Sequence, residues 1–200
     1  MHTRFPLFSS HLELAFHYWK WVLQPGDSAI DATCGNGKDL LRLAQLMLPF
    51  AGEGQLIGID IQSQAIAATR KLLQTHLSPS ELAKITLLEQ SHATLPSFPN
   101  TAVGLIVYNL GYLPRSDKSV KTLWTTTLES VTAALKLVKA GGIISITCYP
   151  GHPEGKEEQI KLLEMTQTLP AEIWNVCHHE WVNSKTAPSL LLLQKKTSSN

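Results

Sequence analysis

The chain has 200 residues, 44% of them hydrophobic and 16% charged, and this composition suits one well-buried domain over residues 1–200 without a linker. The formal net charge of +1 gives no overall electrostatic case for nucleic-acid binding, so an RNA substrate would need a local basic patch. Three cysteines without a Cys-x-x-Cys pair, and no apolar run of bilayer length, predict a reduced cytoplasmic protein that does not cross a membrane.

An amphipathic helix is predicted before the first strand. Ser9 or Ser10 can cap this helix, and Pro25-Gly26 ends it. Its aromatic side chains are expected in the core or as a lid over a cofactor, in preference to a base-stacking surface. They are Phe16, Tyr18, Trp19 and Trp21. His11 and His17 lie on or near the same helix and are expected to be ordinary surface histidines.

A glycine loop follows. Residues 28–39 read Ser-Ala-Ile-Asp-Ala-Thr-Cys-Gly-Asn-Gly-Lys-Asp, and an apolar segment over 38–48 comes after them, which predicts strand, tight loop and helix. Glycine permits positive φ and lets backbone N–H groups approach a ligand at the positive end of a helix. A Gly-x-Gly pair alone is equally typical of a plain tight turn. A nucleotide site needs in addition an acid roughly 20 residues further on. Asp60, which ends Gly-Gln-Leu-Ile-Gly-Ile-Asp, supplies it.

The type of nucleotide follows from a missing glycine. In the dinucleotide motif Gly-x-Gly-x-x-Gly, counted from Gly35, the third glycine position is occupied by Leu40. This favours a ligand without a pyrophosphate. S-adenosylmethionine fits, because an acid such as Asp31 and the loop amides can hold its amino-acid end while Asp60 meets its ribose.

Strands and helices continue to alternate. A helix is predicted over 63–76 with Ser63 as its cap, and a third strand over 85–88, so we expect a parallel, doubly wound sheet. In such sheets ligands bind beyond the carboxyl ends of the strands, where strand order reverses. Ser91 and His92 follow the third strand and are candidates for the adenine edge. Ordinary loop residues are an equally good interpretation of this pair.

A second candidate site follows an apolar fourth strand over 103–108, in the segment Asn-Leu-Gly-Tyr-Leu-Pro-Arg. The Asn109 side-chain carbonyl can accept a hydrogen bond from an amine and orient the nitrogen lone pair toward a sulfonium methyl group. The Tyr112 ring can pack on a planar substrate. Displacement at a sulfonium needs alignment more than strong acid or base chemistry. The alternative interpretation of this segment is a turn.

A long helix over 118–139, closed by a glycine pair, and a fifth strand over 143–148 are predicted next. The glycines and prolines of residues 149–156 indicate a loop at the end of that strand, which would place Tyr149 and His152 at the rim of the site. His152 is interpreted as a substrate contact, a proton acceptor or a solvated loop residue.

The C-terminal region is predicted to hold a helix over 157–169 and an antiparallel pair of strands over 171–182 and 189–195. This pair completes a mostly parallel, seven-stranded α/β sheet. His178 and His179 are adjacent strand residues and therefore point to opposite faces. Zinc-type spacing is also missing, so no metal site is expected.

Several segments together resemble a known family. They are Asp-Ala-Thr-Cys-Gly-Asn-Gly-Lys-Asp (31–39), Gly-Ile-Asp-Ile-Gln (58–62), Ser-His (91–92), Asn-Leu-Gly-Tyr-Leu-Pro (109–114), Asp-Lys (117–118) and Tyr-Pro-Gly-His (149–152). This set resembles the Rossmann-like class I S-adenosylmethionine methyltransferases labelled rRNA methylases, a group that includes bacterial tRNA 5-(aminomethyl)-2-thiouridine methyltransferases. The resemblance implies methyl transfer to the exocyclic amine of a modified wobble uridine in tRNA. The family often carries Asn or His where this chain has Lys38.

Site residues can be assigned on this basis. The cofactor residues are Asp31, Gly35, Asn36, Gly37 and Lys38 for the methionine moiety, Asp60 and Gln62 for the ribose, and Ser91 and His92 for adenine. Asn109 and Tyr112 would position the amine. The rim for the tRNA anticodon stem-loop would contain Arg115, Lys118, Lys121, Tyr149, His152 and Lys156. A homodimer is a further expectation, through the aromatic first helix or the threonine-rich helix.

Two alternatives stay open at this point. The same fold could methylate ribosomal RNA or a small amine. A protein of another class, a non-catalytic nucleotide-binding protein, could also keep the glycine loop.

Overall fold

The fold is seen in a computed structural model that describes residues 10–49, 52–96, 98, 102–111 and 124–197. Within these residues the strands are β1 (Ser28–Asp31), β2 (Leu56–Asp60), β3 (Ile85–Glu89), β4 (Val103–Asn109), β5 (Val138–Cys148), β6 (Trp174–His179) and β7 (Ser189–Lys195). The helices are α1 (His11–Val22), α2 (Lys38–Met47), α3 (Ser63–His76), α4 (Pro79–Leu82), α5 (Trp124–Leu137) and α6 (Pro153–Gln167). No helix in the described ranges is long and apolar enough to cross a bilayer.

The strands form one sheet in the order β3-β2-β1-β4-β5-β7-β6. Strands β1 to β5 pair in parallel, whereas β7 runs antiparallel to both β5 and β6. The predicted fold class, a doubly wound, mostly parallel α/β sheet with a C-terminal antiparallel hairpin, is confirmed. Strand order reverses between β1 and β4, so the carboxyl ends of β1, β2 and β4 meet at one edge, where such sheets bind ligands.

Helices cover both faces of the sheet, which explains why its central strands are apolar without alternation. On one face, Val131 of α5 and Leu162 of α6 pack in the same cluster as Ile106 of β4. On the other face, Leu43 of α2 packs in the same cluster as Leu105 of β4. Strand β4 is therefore buried from Val103 to Tyr108, and its polar last residue lies only partly covered at the edge.

The two predicted helix caps have different outcomes. Ser10 caps α1, because its hydroxyl accepts a hydrogen bond from the Glu13 N–H at 3.1 Å. Ser63 was expected to cap α3 and does not: it is the first residue of that helix, and Gln62 takes the cap position without a side-chain cap. The Gln62 N–H instead donates to the Asp60 carboxylate at 2.9 Å. Asp60 thus orders the entry to α3.

The predicted end of α5 at residue 139 is wrong. The helix ends at Leu137, and β5 begins at once with Val138, which pairs with Val103 of β4. Lys139 forms an ion pair with the buried Asp27 carboxylate, which holds this segment against the sheet. The predicted closing glycines therefore lie inside β5, where Gly141 has a φ of +78°. The expected start of this helix at residue 118 falls outside the described residues.

The predicted loop over 149–156 is shorter than expected, because α6 begins at Pro153. His152 caps this helix: its Nδ1 accepts a hydrogen bond from the Gly155 N–H at 3.0 Å. Proline suits the first helical position, since its missing N–H is not needed there.

Strand β6 is also shorter than the predicted 171–182. Within the described ranges no group of His, Cys, Asp and Glu could hold a metal ion.

Glu158 is a buried carboxyl group between α5 and α6. It is 6% exposed, and its Oε1 accepts a hydrogen bond from the Thr127 hydroxyl at 2.7 Å. Burial raises the pKa of Glu158 from 4.5 to about 7, and the hydrogen bond from Thr127 only partly opposes this rise. The folded protein therefore keeps a proton on Glu158 at pH values where the unfolded chain has lost it.

This raised pKa predicts a pH-dependent stability. Because the folded state binds the proton more tightly, the free energy of unfolding should fall as pH rises from 4.5 to about 7. Glu158→Gln keeps an acceptor for Thr127 and should remove this fall, giving a gain of about 2 kcal/mol at pH 8. Urea titrations at several pH values measure it, with Glu157→Gln, an exposed neighbour on α6, as the control. Parallel pH profiles for wild type and Glu158→Gln would refute the assignment.

Candidate active site

The glycine loop lies at the carboxyl end of β1 and leads into α2. Gly35 and Gly37 have φ values of +50° and +79°, the left-handed conformation that glycine adopts most easily. A Cβ on Gly37 would also lie 2.8 Å from the Thr69 hydroxyl oxygen, so a side chain is excluded there. Gly37 holds the cap position of α2 without a side-chain cap. The N–H groups of the first helical turn thus face the loop, as in anion-binding sites.

Asp60, the last residue of β2, is joined to this loop. Its Oδ2 accepts a hydrogen bond from the Gly35 N–H at 2.9 Å, and its Oδ1 accepts one from the Gln62 N–H at the same distance. Each carboxylate oxygen can accept a second hydrogen bond, so both oxygens can still receive a hydroxyl group. The expected neighbourhood of the glycine loop and the second acid is therefore present in the structure.

Asp31, the last residue of β1, is 1% exposed. Its Oδ1 accepts a hydrogen bond from the Thr33 N–H at 3.2 Å, whereas its buried Oδ2 has no hydrogen-bond partner in the described part of the chain. Burial and then the charge of Asp39 raise the pKa of Asp31 well above its usual value, and Asp60 adds to this. A cation with N–H donors at Oδ2 would satisfy the oxygen and offset the repulsion.

Asn109, the last residue of β4, lies beside the same loop. Its backbone N–H donates to the Thr33 hydroxyl at 2.7 Å, and its side-chain Nδ2 donates to Asp39 Oδ2 at 3.0 Å. An ionised carboxylate only accepts hydrogen bonds, so the amide must turn its NH₂ group toward Asp39. This contact leaves Asn109 Oδ1 as the acceptor for a donor on the substrate side.

Tyr149 and His11 extend the site. The Tyr149 hydroxyl lies 3.4 Å from His11 Nε2, and the two rings meet edge to face with centroids 5.7 Å apart. Burial and then the charge of Asp39 raise the pKa of Tyr149, while a hydrogen bond with the Asn109 side chain opposes the rise. Tyr149 is therefore a neutral phenol at physiological pH. These contacts place Tyr149 beside Asn109 and His11, and its role at the rim of the site stays a prediction.

The expectation that His11 is an ordinary surface histidine is wrong, whereas His17 is exposed as expected. His11 is half-buried, and this burial lowers its pKa even though the charge of Asp39 acts in the opposite direction. Asp39, which lies in the first turn of α2, is a second residue that sequence reasoning left unassigned. Asp39 could have been singled out in the sequence, because it is the last residue of the glycine-loop segment 28–39.

The predicted adenine residues follow β3. Ser91 orders a turn, because its hydroxyl accepts a hydrogen bond from the Ala93 N–H at 3.2 Å. His92 packs its ring edge-on against Tyr108, and its Nε2 is buried without a hydrogen-bond partner among the described residues. Burial lowers the pKa of His92, so the ring is neutral. The charge of Asp60 opposes this effect, which shows that His92 lies near the carboxyl end of β2.

The remaining predicted residues vary in placement. Asn36 and Lys38 are exposed on the loop and the first position of α2. His152 uses its Nδ1 to cap α6, so that nitrogen serves the fold. Ile61, which sequence reasoning did not single out, is 57% exposed between Asp60 and Gln62. The predicted residues Tyr112, Arg115, Lys118 and Lys121 lie outside the described residues.

Comparisons with known proteins identify a family model and several relatives that this chain matches. Residues 56–195 match the family model described as "Putative rRNA methylase". A chloroplastic tRNA (mnm(5)s(2)U34)-methyltransferase of Arabidopsis thaliana is 36% identical over 188 residues, covering 92% of this chain and 69% of that protein. A Clostridium thermocellum crystal structure, described in the same words as the family, has a TM-score of 0.84 at 33% identity over 93% of this chain and 97% of its own. A Streptococcus mutans protein described as a methyltransferase, in complex with SAH, has a TM-score of 0.77 at 26% identity, over 93% and 98% of the two chains.

The unpartnered oxygen of Asp31 predicts a stability change. Asp31→Asn should raise the free energy of unfolding of the ligand-free protein at pH 7 by about 1 kcal/mol, because it removes a buried carboxylate repelled by two neighbouring acids. Since the raised pKa of Asp31 destabilises the fold only above its usual value of 3.8, the gain should shrink as pH falls toward that value. Urea titrations measure both. A loss of stability at pH 7 would show that Asp31 supports the fold instead.

Proposed function

Since this chain belongs to the rRNA methylase family and is a methyltransferase, we propose that it transfers the methyl group of S-adenosylmethionine to the amine of 5-aminomethyl-2-thiouridine at the wobble position of tRNA. The observation that carries the proposal is that Asp31 and Asn109 end two neighbouring strands, β1 and β4, at the same edge of the sheet. The first has an oxygen suited to a cation, and the second has a carbonyl suited to an amine. The tRNA named for the Arabidopsis relative supports this choice of substrate.

The residues present fit the donor. When bound, S-adenosylmethionine supplies an electrophilic methyl group on a sulfonium. Asp31 Oδ2, which is buried and unpartnered in the described part of the chain, would accept from the ammonium of its methionine moiety. The N–H groups of Asn36 and Lys38 would meet the carboxylate of that moiety, because the Gly35 and Gly37 N–H groups already donate to Asp60 and to the Cys34 carbonyl. The SAH-bound relative from Streptococcus mutans supports this use of the fold.

The nucleoside part of the donor has a complementary surface next to the loop. Asp60 and Gln62 would receive the ribose hydroxyls, because Asp60 keeps free acceptor capacity on both oxygens. The exposed Ile61 offers an apolar surface for the adenine ring, with Ser91 and His92 at its polar edge. These roles are proposals drawn from position at the carboxyl ends of β2 and β3.

The acceptor side centres on Asn109. Its Oδ1 would accept an N–H from the substrate amine and so aim the nitrogen lone pair at the methyl carbon. The new N–C bond forms as the S–C bond breaks, and the resulting ammonium then releases a proton to solvent. Asn109 contributes alignment, because its amide is held by Asp39 and by the backbone contact with Thr33.

Contacts with tRNA are proposed for residues around this point. Tyr112 would pack on the base, and the rim of Arg115, Lys118, Lys121, Tyr149, His152 and Lys156 would contact the anticodon stem-loop. The cationic members of this rim would make binding weaken with added salt. A homodimer and a cytoplasmic location also stay predictions, and the Arabidopsis relative is named as chloroplastic.

Donor binding gives the first functional test. Asp31→Asn should weaken binding of S-adenosylhomocysteine about tenfold or more, because a hydrogen bond from an ammonium to an ionised carboxylate is worth about 1.5–3 kcal/mol. Isothermal titration calorimetry measures the dissociation constant. Glu158→Gln, distant from the glycine loop, is the matched control and should bind as wild type does. Equal affinity in all three proteins would remove Asp31 from the donor site.

Substrate identity gives the second test. Nucleoside mass spectrometry of tRNA from a deletion strain should show accumulated 5-aminomethyl-2-thiouridine, and the purified enzyme with donor should convert it. Asn109→Ala should lower kcat about 100-fold with little change in donor affinity, because it removes alignment and not donor binding. The family description makes ribosomal RNA the second candidate. Unchanged tRNA nucleosides together with a lost rRNA methylation would favour that substrate.

A further inference from the structure

Four side chains form a continuous polar chain across the candidate site, from α2 through β4 and the end of β5 to α1. Asn109 Nδ2 donates to Asp39 Oδ2 at 3.0 Å. The Asn109 side chain is close enough to the Tyr149 hydroxyl to oppose the rise in its pKa, and this hydroxyl lies 3.4 Å from His11 Nε2. His11 and Tyr149 are 138 positions apart in the sequence, so only the fold brings these side chains together.

In this row of four side chains, each hydrogen bond has a defined donor and a defined acceptor. Because the Asp39 carboxylate only accepts, Asn109 turns its NH₂ group toward it and can give its other N–H to the Tyr149 oxygen. The single hydroxyl proton of Tyr149 is then left for His11 Nε2, which must carry a lone pair. This arrangement requires a neutral His11 with its proton on Nδ1.

We propose that His11 is a positioning residue for the methyl transfer: by accepting the Tyr149 hydroxyl proton it fixes the direction of the chain and keeps Asn109 Oδ1 free for the substrate amine. This inference rests on the proposed function, in which Oδ1 holds that amine. A protonated His11 would donate to Tyr149 instead. The Tyr149 proton would then need another acceptor, and the amide of Asn109 would have to turn away from Asp39 to provide one.

The surrounding charges are compatible with a neutral His11. Asp39 is the acid that faces His11 and Tyr149 from α2, and burial outweighs its effect, so the pKa of His11 is lowered from 6.5. On the same helix Glu13 forms an ion pair with Arg42 of α2 at 2.6 Å, which neutralises the next acid along α1. The charge of Asp39 also acts on Asp31, whose pKa it helps to raise.

Two substitutions separate the acceptor role from packing. His11→Phe keeps an aromatic ring against Tyr149 but has no acceptor, and kcat should fall about tenfold, as expected for one lost hydrogen bond. His11→Gln supplies an amide oxygen that can accept and should retain kcat within about threefold. His17→Phe is the matched control, since His17 is exposed on the same helix, and it should keep the wild-type kcat. Affinity for S-adenosylhomocysteine should not change in any of them.

The pH dependence distinguishes positioning from a structural role. Glutamine does not titrate, so the ratio of wild-type kcat to that of His11→Gln should fall as pH drops below 6.5. Taking the ratio cancels the titration of the substrate amine, which is common to both enzymes. In a double-mutant cycle, His11→Phe and Tyr149→Phe should be non-additive, because either change removes the same hydrogen bond.

A readout without catalysis completes the test. Nitrogen-15 chemical shifts of His11 should report the Nδ1–H tautomer in wild type and a mixture of tautomers in Tyr149→Phe. Wild-type kcat in His11→Phe, a pH-independent ratio or an Nε2–H tautomer would each overturn the inference while leaving the proposed function intact. If wild type methylates no RNA and no amine, the proposed function fails and this inference fails with it.

Discussion

The ligand site depends on a carboxylate that is held out of water. Asp31 ends a strand that is buried along its whole length, and one of its oxygens has no partner within the described ranges. Asp39 and Asp60 add negative charge from α2 and β2, so three acids converge on the point where strand order reverses. In the ligand-free protein the buried charge of Asp31 lowers the free energy of unfolding, since the neighbouring acids repel it. The same charge suits a ligand that carries positive charge, as a sulfonium amino acid does.

The same edge of the sheet is held together by hydrogen bonds between neighbouring elements. The Gly35 N–H joins the loop to Asp60 on β2, and the Asn109 N–H joins β4 to Thr33 after β1. Alignment-dependent chemistry needs groups held close to their productive geometry, and sites on strands and helices meet that need better than free loops. The residues proposed to bind the methyl donor and the substrate amine are thus placed by the pairing of the strands. Side-chain contacts then set their orientation.

Much of this arrangement could be predicted from the sequence, because local patterns carry it. The apolar strands, the glycine loop, the second acid and Asn109 each follow from short segments whose chemistry is readable without the fold. The adenine candidates Ser91 and His92 followed from their position after the third strand, and the family resemblance added the proposed substrate. The start of α6, where His152 makes a local cap with Gly155, and the bounds of β6 were missed. The end of α5 was missed because it depends on a tertiary contact, the ion pair of Lys139 with Asp27 at the start of β5. His11 was missed for the same reason, because its partner Tyr149 lies on the far side of the sequence.

A crystal structure with S-adenosylhomocysteine bound tests the central claim most directly. The account predicts that the amino group of the ligand lies within hydrogen-bond distance of Asp31 Oδ2, with the ribose at Asp60 and the sulfur facing Asn109 Oδ1. A ligand bound elsewhere, or bound at this edge with its amino group turned away from Asp31, would contradict the account.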